Sequence, residues 1–158
     1  MALTVNVEGG QKYKRFLDAL GRIAGGVKAG ILEGATTTDG KHIAEYAAYN
    51  EFGAPRAKIP SRPFMREVAK TRPKVWVGKM VAHIKGRAKD PAVWKGALVL
   101  AGEQMKADIQ YSIQTGNWTP DAESTVNAKR RKGKVEPDHP LIDTGQMLGA
   151  VSYEVVDK

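Results

Sequence analysis

The chain has 158 residues, 42% of them hydrophobic, which is enough for one domain with a modest core and too little for two ordinary ones. It holds no cysteine, which excludes disulfides and thiolate metal sites. No stretch approaches the roughly 18 apolar residues of a membrane span, and the first residues lack the apolar run of a signal peptide, so the expectation is a soluble protein made in the cytoplasm with no membrane partner.

The formal net charge of +8 is uneven. Residues 54–95 hold twelve basic side chains (Arg56, Lys58, Arg62, Arg66, Lys70, Arg72, Lys74, Lys79, Lys85, Arg87, Lys89 and Lys95) against Glu67 and Asp90, a net of +10. The rest of the chain holds thirteen basic and fifteen acidic groups, a net of −2. The excess belongs to one region, which is either a solvated helical face or a surface for a partner of opposite charge.

In chain order, residues 11–24 place Tyr13, Phe16, Leu17, Leu20 and Ile23 at helical spacing and predict a short amphipathic helix, ended by Gly25-Gly26. Val27, Ala29 and Ile31 alternate with smaller or polar residues and predict a strand. Residues 34–40 read as a turn, with Asp39 placed to cap a helix starting near Lys41. That helix, residues 42–52, carries Ile43, Ala44, Ala47 and Ala48 on one side, and Gly53 is expected to close it in the left-handed conformation.

Three prolines, at positions 55, 60 and 63, predict an ordered, extended connector that leads into a helix with Phe64, Met65 and Val68. Pro73 restarts this helix after a kink, continuing the apolar stripe through Val75, Trp76, Met80, Val81 and Ile84. Asp90-Pro91 pairs a cap with a proline in the first turn and opens the strongest helix. Its apolar face runs through Trp94, Leu98, Ala101, Met105, Ile109 and Ile113, widened by Val93, Leu100 and Tyr111, and Gly116 stops it.

Residues 117–140 are polar, rich in proline and charge, and long for a connection inside a compact domain. They read as a mobile or partner-ordered arm with a helical turn or two at 121–132. Leu141, Ile142, a turn at Asp143-Thr144-Gly145, and an alternating strand at 151–155 complete the chain. That strand's mate is expected near Val27. The sum is a single α+β domain with a small antiparallel sheet packed against three to four helices.

Templates for catalysis find no match. His42, His83 and His139 lie far apart with no His-Glu-x-x-His pair, and there is no phosphate-binding Gly-Lys-Ser/Thr loop. None of Ser61, Ser112, Ser124 and Ser152 sits in a Gly-x-Ser-x-Gly elbow. The expectation is a protein that is not an enzyme and uses no cofactor or metal. Lys129-Arg130-Arg131-Lys132-Gly133-Lys134 places five positive charges in six residues. It is suited to neutralising phosphates without reading bases, so a basic nucleic-acid-binding module making non-specific DNA contact is the rival reading.

Two separated segments resemble a known family. Tyr49-Asn50-Glu51-Phe52-Gly53 followed by Ile59-Pro60-Ser61-Arg62-Pro63-Phe64-Met65-Arg66 is similar to the "N-E-F-G, then I-P-A-R-P-F" signature of bacteriophage tail-completion or minor tail proteins, which join head to tail. Thr119-Pro120, then Lys129-Arg130-Arg131-Lys132, then Pro140-Leu141-Ile142-Asp143-Thr144-Gly145-Gln146-Met147 is similar to that family's second signature. Ser61 replaces the commoner alanine and Ala150-Val151 a frequent Ser-Ile pair, with order and spacing kept over about residues 27 to 156.

The resemblance implies an α+β virion subunit at the neck of the tail, assembled with other copies of itself in a ring of six. Its partners would be the phage connector, tail terminator or tail tube proteins. Phe52, Ile59 and Phe64 are candidates either for a neighbouring subunit or for packing within the chain. Arg56, Arg62 and Arg66 are candidates for bidentate contacts with a partner's carboxylates. Lys129, Arg130, Arg131 and Lys132 complete the expected partner-binding set.

Overall fold

The computed structural model describes residues 25–156, and within them the chain begins and ends on the two strands of one antiparallel ribbon. The helix expected at 11–24 lies outside the described residues. Strand β1 (Gly26–Ile31) pairs with β2 (Val151–Val156) in the register Val27 to Val155, Ala29 to Tyr153 and Ile31 to Val151, the pairing that the alternation predicts. Lys28 and Glu154 face each other on the exposed side, 3.4 Å apart. A two-stranded ribbon has marginal stability alone, so its other side must be covered.

The cover is a 25-residue helix. Taking the helices in order, α1 is Ile43–Phe52, α2 Phe64–Thr71, α3 Pro73–Ile84, α4 Pro91–Thr115, α5 Glu123–Arg131 and α6 Gln146–Gly149. Helix α4 starts where Asp90 accepts a hydrogen bond from the Ala92 N–H at 2.9 Å and stops at Gly116, as its sequence signals require. It packs on both strands and on α2 and α3. It meets β2 at Gly102, where a Cβ would lie 2.1 Å from the Tyr153 ring. Leu100 and Tyr111, expected on the apolar face, are exposed, because at 100° per residue they fall on the side of α4 away from Leu98, Ala101 and Ile109.

The main core joins Ile43 and Ala47 of α1, Phe64 and Val68 of α2, Ile109 and Ile113 of α4, and Leu141, Met147 and Val151. Leu141 is held at φ 66°, a conformation costly for a bulky residue, and its side chain is buried in this core. A smaller cluster of Ile84, Val93 and Ala97, flanked by Met80 and Trp94, closes the far end of the α3–α4 hairpin.

The α+β class and the small antiparallel sheet are as expected, with six helices among the described residues. Three local expectations change. Asp39 does not cap α1; it pairs with Lys41 and accepts from the Thr37 hydroxyl, while the Ile43 N–H donates to the Ala35 carbonyl. Gly53 takes φ 79° and ψ 160°, open to glycine yet outside the left-handed helical region, because the returning chain at Ile59 and Ser61 lies 3.0–3.3 Å from where its Cβ would stand. The proline-rich connector is a closed loop: a 3-10 turn at Pro55–Ala57 and Lys58 at φ 54° bring Ile59 back to pair with Ala54.

Candidate functional site

The first signature segment builds a clasp between α1 and α2. Glu51 is 1% exposed, and its carboxylate accepts from the N–H groups of Met65 (2.9 Å) and Arg66 (3.0 Å), the donors that the first turn of α2 leaves without helical partners. The Arg66 guanidinium donates to the same carboxylate through Nε (2.9 Å) and to the Glu51 carbonyl through Nη2 (2.7 Å). It also lies 4.8 Å above the centre of the Phe52 ring. Glu51 thus caps a helix that begins thirteen residues later, a role invisible to local capping rules.

The second signature segment meets the first at Arg62, which is 3% exposed. Its guanidinium donates to the Asn50 side-chain oxygen (2.8 Å), the carbonyls of Thr119 (2.7 Å) and Pro120 (3.0 Å), and the Asp121 carboxylate (2.9 Å). The other oxygen of Asp121 accepts from Lys129 Nζ at 2.6 Å, and Lys129 also donates to the His139 carbonyl at 2.7 Å. Two buried cations share one carboxylate, and four uncharged oxygens supply the remaining acceptors. Residues 117–140, expected as a mobile or partner-ordered arm, are therefore tied to the body by Arg62 at Thr119, Pro120 and Asp121, and Lys129 of α5 closes the segment on itself between Asp121 and His139.

These contacts redistribute the expected partner-binding residues. Phe64 is fully buried in the core, and Arg62 and Lys129 are consumed inside the chain, so none of the three is open to a neighbour. Arg62 and Arg66 do meet carboxylates, Asp121 and Glu51 of the same chain, but each through a single hydrogen bond and not the bidentate fork expected, because their other N–H groups are taken by carbonyl, amide and hydroxyl oxygens. Ile59 is half-buried in the returning loop. Phe52 (64% exposed), Arg56, Arg66, Arg130, Arg131 and Lys132 remain on the surface. Arg130 pairs with Asp138 at 2.9 Å and Lys132 with Asp143 at 3.1 Å, so the run at 129–134 is largely neutralised by its own surroundings.

A third group escaped sequence reasoning. Asp108, on the buried side of α4, accepts from Arg72 (3.0 Å), Trp76 Nε1 (2.7 Å) and Gln104 (2.8 Å), fastening α4 to the start of α3. Desolvation pushes its pKa up, but these donors outweigh that and hold the carboxyl below its ordinary range; the same bond pushes Arg72 up. Asp108, Arg72, Val68, Tyr111, Ser112 and Trp118 border an open cavity of about 830 Å³ between α2 and α4. The available signal was an acid set on an apolar stripe, one residue before Ile109.

Of the twelve cations at 54–95, Arg62, Arg66 and Arg72 form these internal pairs. The other nine have no carboxylate within ion-pair distance among the described residues. Among those residues, no group of three His, Cys, Asp or Glu side chains is placed to hold a metal ion, and no helix is long and apolar enough to cross a membrane. Compared with protein-family models, curated proteins and solved structures, the chain returns no match.

Proposed function

We propose that this chain is a structural virion subunit of a tailed bacteriophage or prophage, completing the tail or joining head to tail as part of a ring at the neck. The observation that carries the reading is the convergence at Arg62. Asn50 and Arg62 from the first signature segment and Thr119 and Pro120 from the second, with the adjoining Asp121, meet at the buried Arg62 guanidinium. A signature whose polar residues lock elements together is what a scaffold subunit needs, and it explains why these residue types recur in order without any catalytic constellation among them.

On this reading the protein acts by binding. Phe52 and Arg66, stacked together at the end of α1, with Arg56 on the neighbouring loop, supply the aromatic and guanidinium groups enriched at protein interfaces. Their partners would be other copies of the chain and the connector, terminator or tail tube proteins. Quantitative mass spectrometry of density-gradient-purified particles from the host carrying the gene tests the proposal. The protein is expected in a fixed, small number of copies per particle; its absence from intact particles would overturn the reading.

A further inference from the structure

The nine cations without an ion-pair partner among the described residues are not scattered. Six of them, Lys74, Lys79, Lys85, Arg87, Lys89 and Lys95, belong to the α3–α4 hairpin, and all six are exposed. Between positions 73 and 102 Asp90 is the sole acid, and its carboxylate is engaged by the Ala92 N–H. We infer that this hairpin is a docking edge for the phosphate backbone of duplex DNA, bound without base reading. The inference is independent of the virion assignment.

The tip is a formed structure. Lys85-Gly86-Arg87-Ala88-Lys89 alternates cations with small residues, and Gly86 turns the chain at φ 78°. The Arg87 N–H donates to the Ile84 carbonyl (2.9 Å), the Asp90 N–H to the Arg87 carbonyl (3.1 Å), and Trp94 Nε1 to the Ala88 carbonyl (2.9 Å). The turn is thus fastened to both helices, Arg87 also donating through Nη2 to the His83 carbonyl (3.0 Å), while its three cations stay exposed. Lys85, the C-cap of α3, follows Lys74 by eleven residues, about three helical turns, which sets the two at opposite ends of the helix on roughly the same side. The helix is about 18 Å long at ~1.5 Å per residue, a span of roughly five base pairs at ~3.4 Å each.

The type of cation selects the partner. The three arginines of 54–95 that meet carboxylates do so within the chain, whereas the hairpin presents five lysines and one arginine without such partners among the described residues. Lysine is a hydrated point charge suited to phosphate and is depleted at protein–protein interfaces. Single-stranded nucleic acid would ask for exposed aromatic rings on which bases stack. Here Trp76 packs against the main core and Trp94 against the hairpin's own cluster, so neither stands out as a platform. Cations without stacking groups fit a duplex. The run at 129–134, the expected phosphate contact from sequence, is the weaker candidate because Lys129, Arg130 and Lys132 already have carboxylate partners.

The test titrates the full chain against a random-sequence duplex of about 30 base pairs at several salt concentrations. If the hairpin contacts four phosphates, the slope of log K against log salt is about −3.6, a loss of roughly a hundredfold between ~50 and ~200 mM. The variant K85E/R87E/K89E should bind at least tenfold more weakly with unchanged circular dichroism, whereas R130E/R131E/K132E, with the same change of net charge, should lose less than threefold. Lysine acetylation read by mass spectrometry needs no variant: DNA should protect Lys85, Lys89 and Lys95 and leave Lys41 and Lys134 reactive. Equal loss in the two variants, no protection at the hairpin, or equal affinity for poly-glutamate or a single strand would each overturn the inference.

Discussion

Arg62 and Asp121 are 59 residues apart in the chain, yet their side chains meet at 2.9 Å with only 4% and 12% of their surfaces exposed. Asp121 is the one carboxylate between Arg62 and Lys129, so Asp121→Asn leaves two buried cations without a counter-charge. The loss should be about 3–5 kcal/mol, the usual result of breaking a buried pair from one side. Urea unfolding measures it, and Arg62→Ala combined with Asp121→Asn should cost less than the two single losses added together. The same variants should expose the bonds after Lys129, Arg130 and Arg131 to trypsin under conditions where the parent chain resists.

Glu51 caps α2 from the end of α1. Glu51→Gln keeps the size of the side chain but removes the charge and puts an NH2 where an oxygen accepts a backbone N–H. A loss of about 1–3 kcal/mol is expected. Glu51→Asp, too short to reach Met65 and Arg66 together, should do no better, and chemical denaturation separates this from a simple effect of charge.

The Asp108 carboxyl is held below its ordinary value by its donors despite desolvation. A depressed folded pKa contributes stability above the unfolded pKa and gives it up as the pH falls through the folded value. The gap in unfolding free energy between the parent chain and Asp108→Asn should therefore be constant near neutral pH and shrink as the pH falls below the ordinary aspartate range. A gap that widened in acid would contradict the assignment of Arg72, Trp76 and Gln104 as the donors that set it.

At Gly102 the backbone of α4 packs directly on the Tyr153 ring of β2. Gly102→Ala pushes a methyl into the Tyr153 ring and should cost about 1–3 kcal/mol, although alanine favours helix. Adding Tyr153→Ala should remove part of that penalty, a coupling that thermal unfolding of the four members of the cycle reads directly. Tyr153 also donates to Glu103 at 2.8 Å, which raises the pKa of its phenol, so the rescue will be partial.

The elements that rest on local rules were legible in the sequence. Asp90 announces α4, Gly116 ends it, and the alternation at 151–155 finds its mate at 26–31. The residues that misled were charged ones whose meaning depends on a distant partner. The burial of Glu51, Asp108 and Asp121 was not legible, because it depends on donors that include Met65, Trp76 and Arg62, 14, 32 and 59 residues away, which carry no periodic signal. For the same reason Arg62 and Lys129 read as partner-binding groups. Arg62 does meet a carboxylate, but through one hydrogen bond, and that carboxylate lies in the chain's own polar segment.

The central claim, that the chain is a joining or completing part of a phage tail, is tested most directly by deleting its gene in the producing host and imaging the particles by electron microscopy. The account predicts heads and tails that accumulate separately, or tails with unfinished ends, and rescue by the parent gene but not by an Asp121→Asn copy. Normal, joined and infectious particles in its absence would contradict it.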